Sequence, residues 1–159
     1  MLPRIERQPT PLVVQAGRDR FGEERGLGVS QVDFKLASVD ATSMFALENR
    51  FTTKGGPARH VHPDQDEWFF VLEGAFEFEV GGERVQLAPG DSIFGPRGVP
   101  HVWAHVDDGP GRILIVFTPA GHMEAFFREV TQNNAMPMQD PALWRRYGME
   151  LVGPPLPLS

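Results

Sequence analysis

The sequence lacks cysteine entirely, and it contains no long apolar run. Without thiols the protein forms neither disulfides nor the sulfur-ligated zinc and iron–sulfur sites, so any metal must be held by nitrogen and oxygen atoms. The longest apolar runs, at residues 68–72 and 113–117, are far shorter than the roughly 20 residues of a membrane-spanning helix. The charged, proline-broken opening also lacks the apolar stretch of a secretory signal. These absences predict a cytoplasmic protein with no membrane partner.

Basic residues are in the minority. The 159 residues include 15 lysines and arginines against 21 aspartates and glutamates, which gives a formal net charge of −6 at pH 7. This sign disfavours attraction to phosphate backbones, so we expect no nucleic-acid partner. A chain of this length corresponds to about one domain. We therefore predict a single domain over residues 1–159.

Residues from about 30 to 118 carry the pattern of half-buried strands. From Val32 to Leu36 every second residue is apolar, which is the period of a strand and not of a helix. Between residues 66 and 118 further short runs are separated by explicit turn signals, among them Gly81-Gly82 and Pro89-Gly90. Many short, closely spaced strands predict an all-β sandwich or barrel core over this range.

The two ends of the sequence differ from this core. Residues 1 to about 28 are polar without a sustained period, and we interpret them as an arm that packs on the domain or on a second subunit. Residues 119–150 are predicted to form a helical cap on the barrel, and residues 153–159 a proline-rich tail.

Two short helices are expected within the cap. The first carries one apolar stripe, with Thr118-Pro119 as its cap and first turn. The members of that stripe are Met123, Phe126, Phe127 and Val130. The second helix begins with Asp140 as N-cap and ends near Gly148.

Four of the five histidines fall between residues 60 and 105: His60, His62, His101 and His105. In an extended segment His60 and His62 point to one face, with Cα atoms about 6.7 Å apart, so both rings can reach one ion. His101 and His105 share a strand face but stand about 13 Å apart, too far for both to bind the same ion. One of those two must have another role.

Glu67 stands at the head of one of the most apolar runs in the chain. A carboxylate buried there is costly unless a cation compensates its charge, and a metal ion would do so. Asp66 is the rival ligand, but neighbouring strand residues face opposite sides, so at most one of the two points inward.

With these residues the sequence resembles the cupin superfamily. The first cupin motif is matched by His60, His62, Glu67 and Gly74, with four residues before Glu67 and six after it. The second motif is matched by Gly90, Pro96, Gly98 and His101. Two positions depart from the pattern: Lys54 stands where the first motif has its leading glycine, beside Gly55 and Gly56, and His105 stands where the second has asparagine.

The resemblance implies a fold and a metal site. It implies the cupin double-stranded β-helix, a jelly-roll barrel, with an N-terminal arm and short C-terminal helices. It also implies that His60, His62, Glu67 and His101 bind one divalent metal. Nitrogen and oxygen donors suit Fe, Mn, Ni, Co, Cu or Zn, and these ions are not separated by the donor set.

The resemblance also suggests a function. The sequence looks like the small, single-domain, quercetinase-like bacterial cupins, which implies a homodimer and dioxygenation of a small enol- or phenol-bearing molecule with O2. In that interpretation Glu67 binds the metal and also accepts a proton. The alternative is a non-catalytic cupin that binds a metal and a small ligand for storage, sensing or scaffolding.

Inward residues of the same strands would form the substrate pocket. We expect apolar contacts from Phe69, Val71, Phe94 and Trp103. His105 is expected to serve there as a polar contact or as a catalytic proton shuttle.

Overall fold

The computed structural model describes residues 10–41 and 43–159, and its strands form two antiparallel sheets. In chain order the strands are β1 (Gly26–Leu27), β2 (Ser30–Leu36), β3 (Phe45–Phe51), β4 (Ala58–Val61), β5 (Asp66–Glu73), β6 (Phe76–Val80), β7 (Glu83–Leu87), β8 (Ser92–Gly95), β9 (His101–His105), β10 (Gly111–Thr118) and β11 (Glu150–Pro155). The helices are α1 (Met123–Val130) and α2 (Pro141–Arg146). The first sheet has the order β1-β2-β3-β10-β5-β8, and the second has the order β11-β4-β9-β6-β7.

The core lies between the two sheets because the strands alternate as the sequence predicts. On β10 the inward residues Ile113, Ile115 and Phe117 are almost fully buried, whereas the residues between them are only half-buried. Burying one such side chain contributes about 1.5–3 kcal/mol. Aromatic rings continue the packing, with the Phe45 and Phe117 centroids 5.9 Å apart. The predicted all-β jelly roll is confirmed.

The hairpin between β6 and β7 turns at the two glycines that the sequence analysis identified. Val80 on β6 pairs with Glu83 on β7, which leaves Gly81 and Gly82 as a two-residue turn. Their φ angles are 57° and 84°, in the left-handed region that favours glycine. This predicted hairpin is therefore confirmed.

The described part of the N-terminal arm packs on β2. The Asp19 carboxylate accepts a hydrogen bond from the Phe34 amide at 2.8 Å and forms an ion pair with the buried Arg25. The Arg25 guanidinium lies 3.7 Å from the centroid of the Phe34 ring, a cation–π contact. The predicted packing of the arm on the domain is confirmed for these residues. Residues 1–9 of the predicted arm lie outside the described residues.

The helical cap is present, but its first helix begins later than expected. Helix α2 follows the prediction, because the Asp140 side chain accepts a hydrogen bond from the Ala142 amide at 3.0 Å. The assignment of Thr118-Pro119 as cap and first turn of α1 is wrong. Thr118 still pairs with Asp66 as the last residue of β10, and Gly121 has a φ of 53°, so the helix starts only at Met123.

The expected C-terminal tail, residues 153–159, begins inside a strand. Residues 150–155 form β11, whose Leu151 pairs with His60 on β4. The proline-rich composition concealed this strand, because prolines are tolerated at the edge of a sheet, where one side of the strand needs no ladder bonds. Strand β11 occupies that edge and covers β4, which would otherwise form it.

Candidate metal centre

Four buried side chains converge at one end of the barrel: His60, His62, Glu67 and His101. One donor atom from each lies within 4.8 Å of the others. Glu67 Oε2 is 3.1 Å from His62 Nε2 and 3.0 Å from His101 Nε2. None of the four residues is more than 4 % exposed. The structure therefore brings together the whole ligand set that the cupin resemblance implies.

Sheet register positions these side chains. His60 on β4 pairs directly with His101 on β9, so the two imidazoles face one another across neighbouring strands. Glu67 on β5 pairs with Phe117 on one side and with Gly95 on the other, at inward positions of both neighbours. Asp66 faces the opposite side of β5, where its carboxylate pairs with Arg97 at 3.0 Å. Strand alternation thus separates the candidate ligand from its rival.

Backbone and amide groups fix the tautomers of two histidines. The Nδ1–H of His60 donates to the carbonyl oxygen of Ala58 at 2.6 Å. The Nδ1–H of His62 donates to Oε1 of Gln65 at 2.8 Å. Because both partners are acceptors, Nδ1 carries the proton in each ring and Nε2 is left with a free lone pair. This second layer of contacts is typical of metal-binding histidines.

Several donor atoms at the centre have no partner among the described residues. These buried atoms are His62 Nε2, Glu67 Oε2 and both ring nitrogens of His101. Leaving such groups unsatisfied costs about 1–3 kcal/mol each, and more when the group is charged. A divalent cation bound between them would satisfy the free lone pairs and offset the carboxylate charge. The residues present therefore fit a transition metal with nitrogen and oxygen ligands.

The ionisation states at this centre suit metal binding. Burial, together with the neighbouring His101 and His62, lowers the pKa of His60 well below its ordinary value. Burial alone would raise the pKa of Glu67, but the proximity of His62 and His101 outweighs it and holds that pKa below its usual range. At neutral pH His60 is therefore neutral and Glu67 is ionised, as ligation requires.

A cavity opens beside the four ligands. His60, His62 and Glu67 form part of its wall, and the rest is predominantly apolar. Trp103 lines it from β9, as the sequence analysis expected. Helix α1 and the segment that follows cover it with Met123, Phe126, Phe127, Met136, Pro137, Trp144 and Met149. The predicted cap is thus the roof of the cavity.

Three of the expected pocket residues lie elsewhere. Phe69 and Val71 are fully buried in the core, where Phe69 packs on Phe78 and Trp103, and neither lines the cavity. Phe94 is 53 % exposed. It pairs with Trp68, so alternation places it on the outer face of the sheet and away from the cavity.

His105 is separated from the cavity as well. Its Nδ1 lies 3.0 Å from the carbonyl oxygen of Thr53, and its ring packs beside those of Phe51 and Phe76. The residue is fully buried, and the cavity wall does not include it. The expected role as pocket contact or proton shuttle therefore has no geometric support. The ring instead fills the barrel and holds the loop that carries Thr53.

Gln65 is a site residue that the motif did not reveal. Besides accepting the His62 proton, its Nε2 donates to the carbonyl oxygens of Pro119 and Ala120 at 2.7 and 3.0 Å. These two acceptors fix the orientation of the amide and connect His62 to the segment before α1. Its position in the polar turn between His62 and Glu67 was the only signal in the sequence.

Replacing Gln65 with leucine should weaken metal binding about 10–100-fold, because the His62 ring loses the acceptor that orients it. The measurement is competitive titration of Zn(II) or Co(II) against a chelator of known affinity. The matched control is Gln86→Leu, at an exposed position of β7. An unchanged dissociation constant in folded Gln65→Leu protein would contradict this positioning role.

Among the described residues, no helix has both the length and the apolar character needed to cross a membrane.

Comparisons with known proteins agree with this geometry. A family model described as "Cupin domain" matches residues 50–117, which include all four candidate ligands. The tetracenomycin polyketide synthase protein TcmJ of Streptomyces glaucescens is 29 % identical over 83 residues, 52 % of this chain and 56 % of that protein. The 3-hydroxyanthranilate 3,4-dioxygenase of Rattus norvegicus is 38 % identical over 48 residues, 30 % of this chain and 17 % of the enzyme. The chain spans about half the length, or less, of these curated relatives.

Solved structures share the fold. An RmlC-like cupin from Shewanella frigidimarina superposes with a TM-score of 0.50 and 26 % sequence identity, covering 62 % of this chain and 84 % of that one. Residues 50–117, which the family model matches, contain all four converging ligands. The chain contains a cupin domain over residues 50–117, and its fold is that of the cupin superfamily.

Proposed function

We propose that this cupin is a metal-dependent dioxygenase of a small aromatic molecule that carries an enol or a phenol. The observation that carries the proposal is the convergence of His60, His62, Glu67 and His101 beside a mostly apolar cavity, with the first three in the cavity wall. Both atoms of O2 would enter the organic product, and the substrate itself would supply the electrons that reduce O2. No external reductant is needed.

Charge at the centre favours an anionic oxygen. Three neutral imidazoles and one carboxylate leave a divalent ion with a net charge of about +1. The bound metal would supply a Lewis-acidic centre with open positions for an enolate or phenolate oxygen and one further small ligand. His60, His62 and His101 hold that centre through neutral nitrogens, and Glu67 supplies the compensating charge.

Glu67 has two expected roles. The proposed function uses it for metal binding and charge compensation. Its second expected role, as a proton acceptor, stays a prediction that the proposed function does not require.

The cavity walls favour a flat apolar ligand. Aromatic side chains form much of the cavity wall: Phe51, Trp103, Phe117, Phe126 and Trp144. The four ligands are at most 4 % exposed, and this burial strengthens the interaction of an anionic oxygen with the cationic site. The similarity of a short segment to a protein named as a dioxygenase is consistent with this chemistry.

Oxygen consumption tests the proposal. We expect O2 uptake when the Fe-, Mn-, Co-, Ni- or Cu-loaded protein meets an active member of a panel of flavonols, diketones and phenols, measured with an oxygen electrode. The Zn(II)-loaded protein is the matched control, because Zn(II) occupies the same ligands but undergoes no redox change. Absence of uptake across the panel with every redox-active metal would contradict dioxygenation and favour the non-catalytic binding alternative. The homodimer and the cytoplasmic location stay predictions.

A further inference from the structure

Two polar residues interrupt the apolar inner rows of β2 and β3. Ser30 opens the inward row of β2, and Asn49 lies between Leu47 and Phe51 in the inward row of β3. Both are only 5 % exposed. Asn49 pairs with Val32 on one side and Ile113 on the other, so its amide lies in the middle of an otherwise apolar row across the sheet.

The hydrogen bonds of Ser30 and Asn49 leave some of their polar atoms without a partner. Asn49 Nδ2 donates to Ser30 Oγ and to the carbonyl oxygen of Gln31, each at 2.9 Å. Since Gln31 O can only accept, this contact fixes the amide orientation. Asn49 Oδ1 then accepts no hydrogen bond from the described residues, and the Ser30 hydroxyl still has its proton to donate. The pair therefore offers one free acceptor and one free donor.

Both residues line the same cavity as His60, His62 and Glu67. Their neighbours in the wall, such as Leu27, Phe51 and Ile115, are apolar. An isolated polar pair in such a wall is costly unless it is satisfied, and ligand sites use a few polar groups of this kind to orient a mainly apolar molecule. The cavity thus has two polar regions, the candidate metal centre and the Ser30–Asn49 pair.

We infer that Ser30 and Asn49 form a recognition site for a hydroxyl group of the ligand. A hydroxyl complements the pair because it can donate to Asn49 Oδ1 and accept from the Ser30 hydroxyl at the same time. The ligand class is a flat aromatic molecule with a chelating enol or phenol at the metal and a further hydroxyl elsewhere on its rings. This inference rests on the proposed function for the chelating group only.

The test uses flavonols as probes and avoids turnover. Zn(II)-loaded protein is titrated with the unsubstituted flavonol and with derivatives that each add one hydroxyl at a different ring position. We expect one derivative to bind about tenfold more tightly than the parent, the effect of a buried, well-aligned hydrogen-bonding group. Ser30→Ala should reduce that preference to within about twofold while leaving the affinity for the parent flavonol unchanged.

The controls separate recognition from structure. Ser92→Ala removes a hydroxyl from an exposed position of β8 and should keep the full preference, and Ser30→Thr should retain most of it. A crystal structure of wild-type protein with the preferred derivative should show its hydroxyl within hydrogen-bond distance of Ser30 Oγ and Asn49 Oδ1. This structure provides the test if Ser30→Ala fails to fold.

Any one of three results would overturn the inference. The first is that no flavonol of the series binds. The others are that the preference survives Ser30→Ala, or that the preferred hydroxyl is bound elsewhere in the cavity. Failure of the proposed dioxygenation would look different. In that case hydroxyl-dependent binding would persist in the Zn(II) protein, but no redox-active metal would support O2 uptake.

Discussion

Replacing His101 with alanine is expected to lower the metal content of the purified protein from about one ion per chain to below about 0.1. A small ligand set loses most of its affinity when one donor is removed, since the remaining donors must hold the ion with one bond fewer. The effect should be largest here, because His101 lies between His60 and Glu67 and contacts both, with ring centroids 4.5 Å apart in the first case and an Nε2–Oε2 distance of 3.0 Å in the second. Elemental analysis after dialysis measures the content directly.

The matched control for this change is His122→Ala. His122 is exposed and precedes α1, so its imidazole is chemically equivalent but lies outside the convergent group. That variant should keep the wild-type stoichiometry. If both variants retain one ion per chain, or if both lose it, the ion is not held by the four side chains described.

Replacing Gly56 with alanine is expected to destabilise the fold by about 3 kcal/mol or more. A Cβ atom at this position would clash with the carbonyl oxygen of Trp103 and lie 2.8 Å from Cα of Ala104. Both are backbone atoms of β9, which cannot move aside as a flexible side chain can. Urea unfolding monitored by circular dichroism gives the change in free energy of unfolding.

The control for Gly56 is Gly109→Ala. No atom lies within 4 Å of a Cβ built at Gly109, and its φ is outside the left-handed region, so we expect a change within about 0.5 kcal/mol. Folded Gly56→Ala protein should also bind metal more weakly, because the displaced loop leads directly into the strand of His60. Equal stability of the two variants would show that close approach of this loop to β9 is not required.

Local sequence patterns were sufficient where a residue's role depends on its own strand. Alternation distinguishes Glu67 from Asp66, and the same rule places His101, Trp103 and His105 on one buried face. Two motifs with correct spacing identified all four ligands that the fold brings together. Lys54 stands where the cupin motif has a glycine. Two residues later, Gly56 provides the close approach of this loop to β9.

Sequence patterns failed where a role depends on contacts between distant elements. The stripe of α1 indicated a buried face but not that Met123 and Phe126 would roof a cavity. Ser30, Asn49 and Gln65 are single polar residues without periodicity, and their importance appears only once strands and loops far apart in the chain are adjacent. Phe94 and His105 were misplaced for a related reason, because an aromatic or a histidine near a motif does not reveal which side of the sheet or which depth of the barrel it occupies.

The most direct measurement is anomalous X-ray diffraction from crystals of the metal-loaded protein, collected at the absorption edge of the bound metal. We expect a single strong peak about 2.0–2.3 Å from one nitrogen each of His60, His62 and His101 and from one carboxylate oxygen of Glu67. A peak bonded elsewhere, or no peak in protein shown by elemental analysis to contain metal, would contradict the assignment of these four residues as one metal centre.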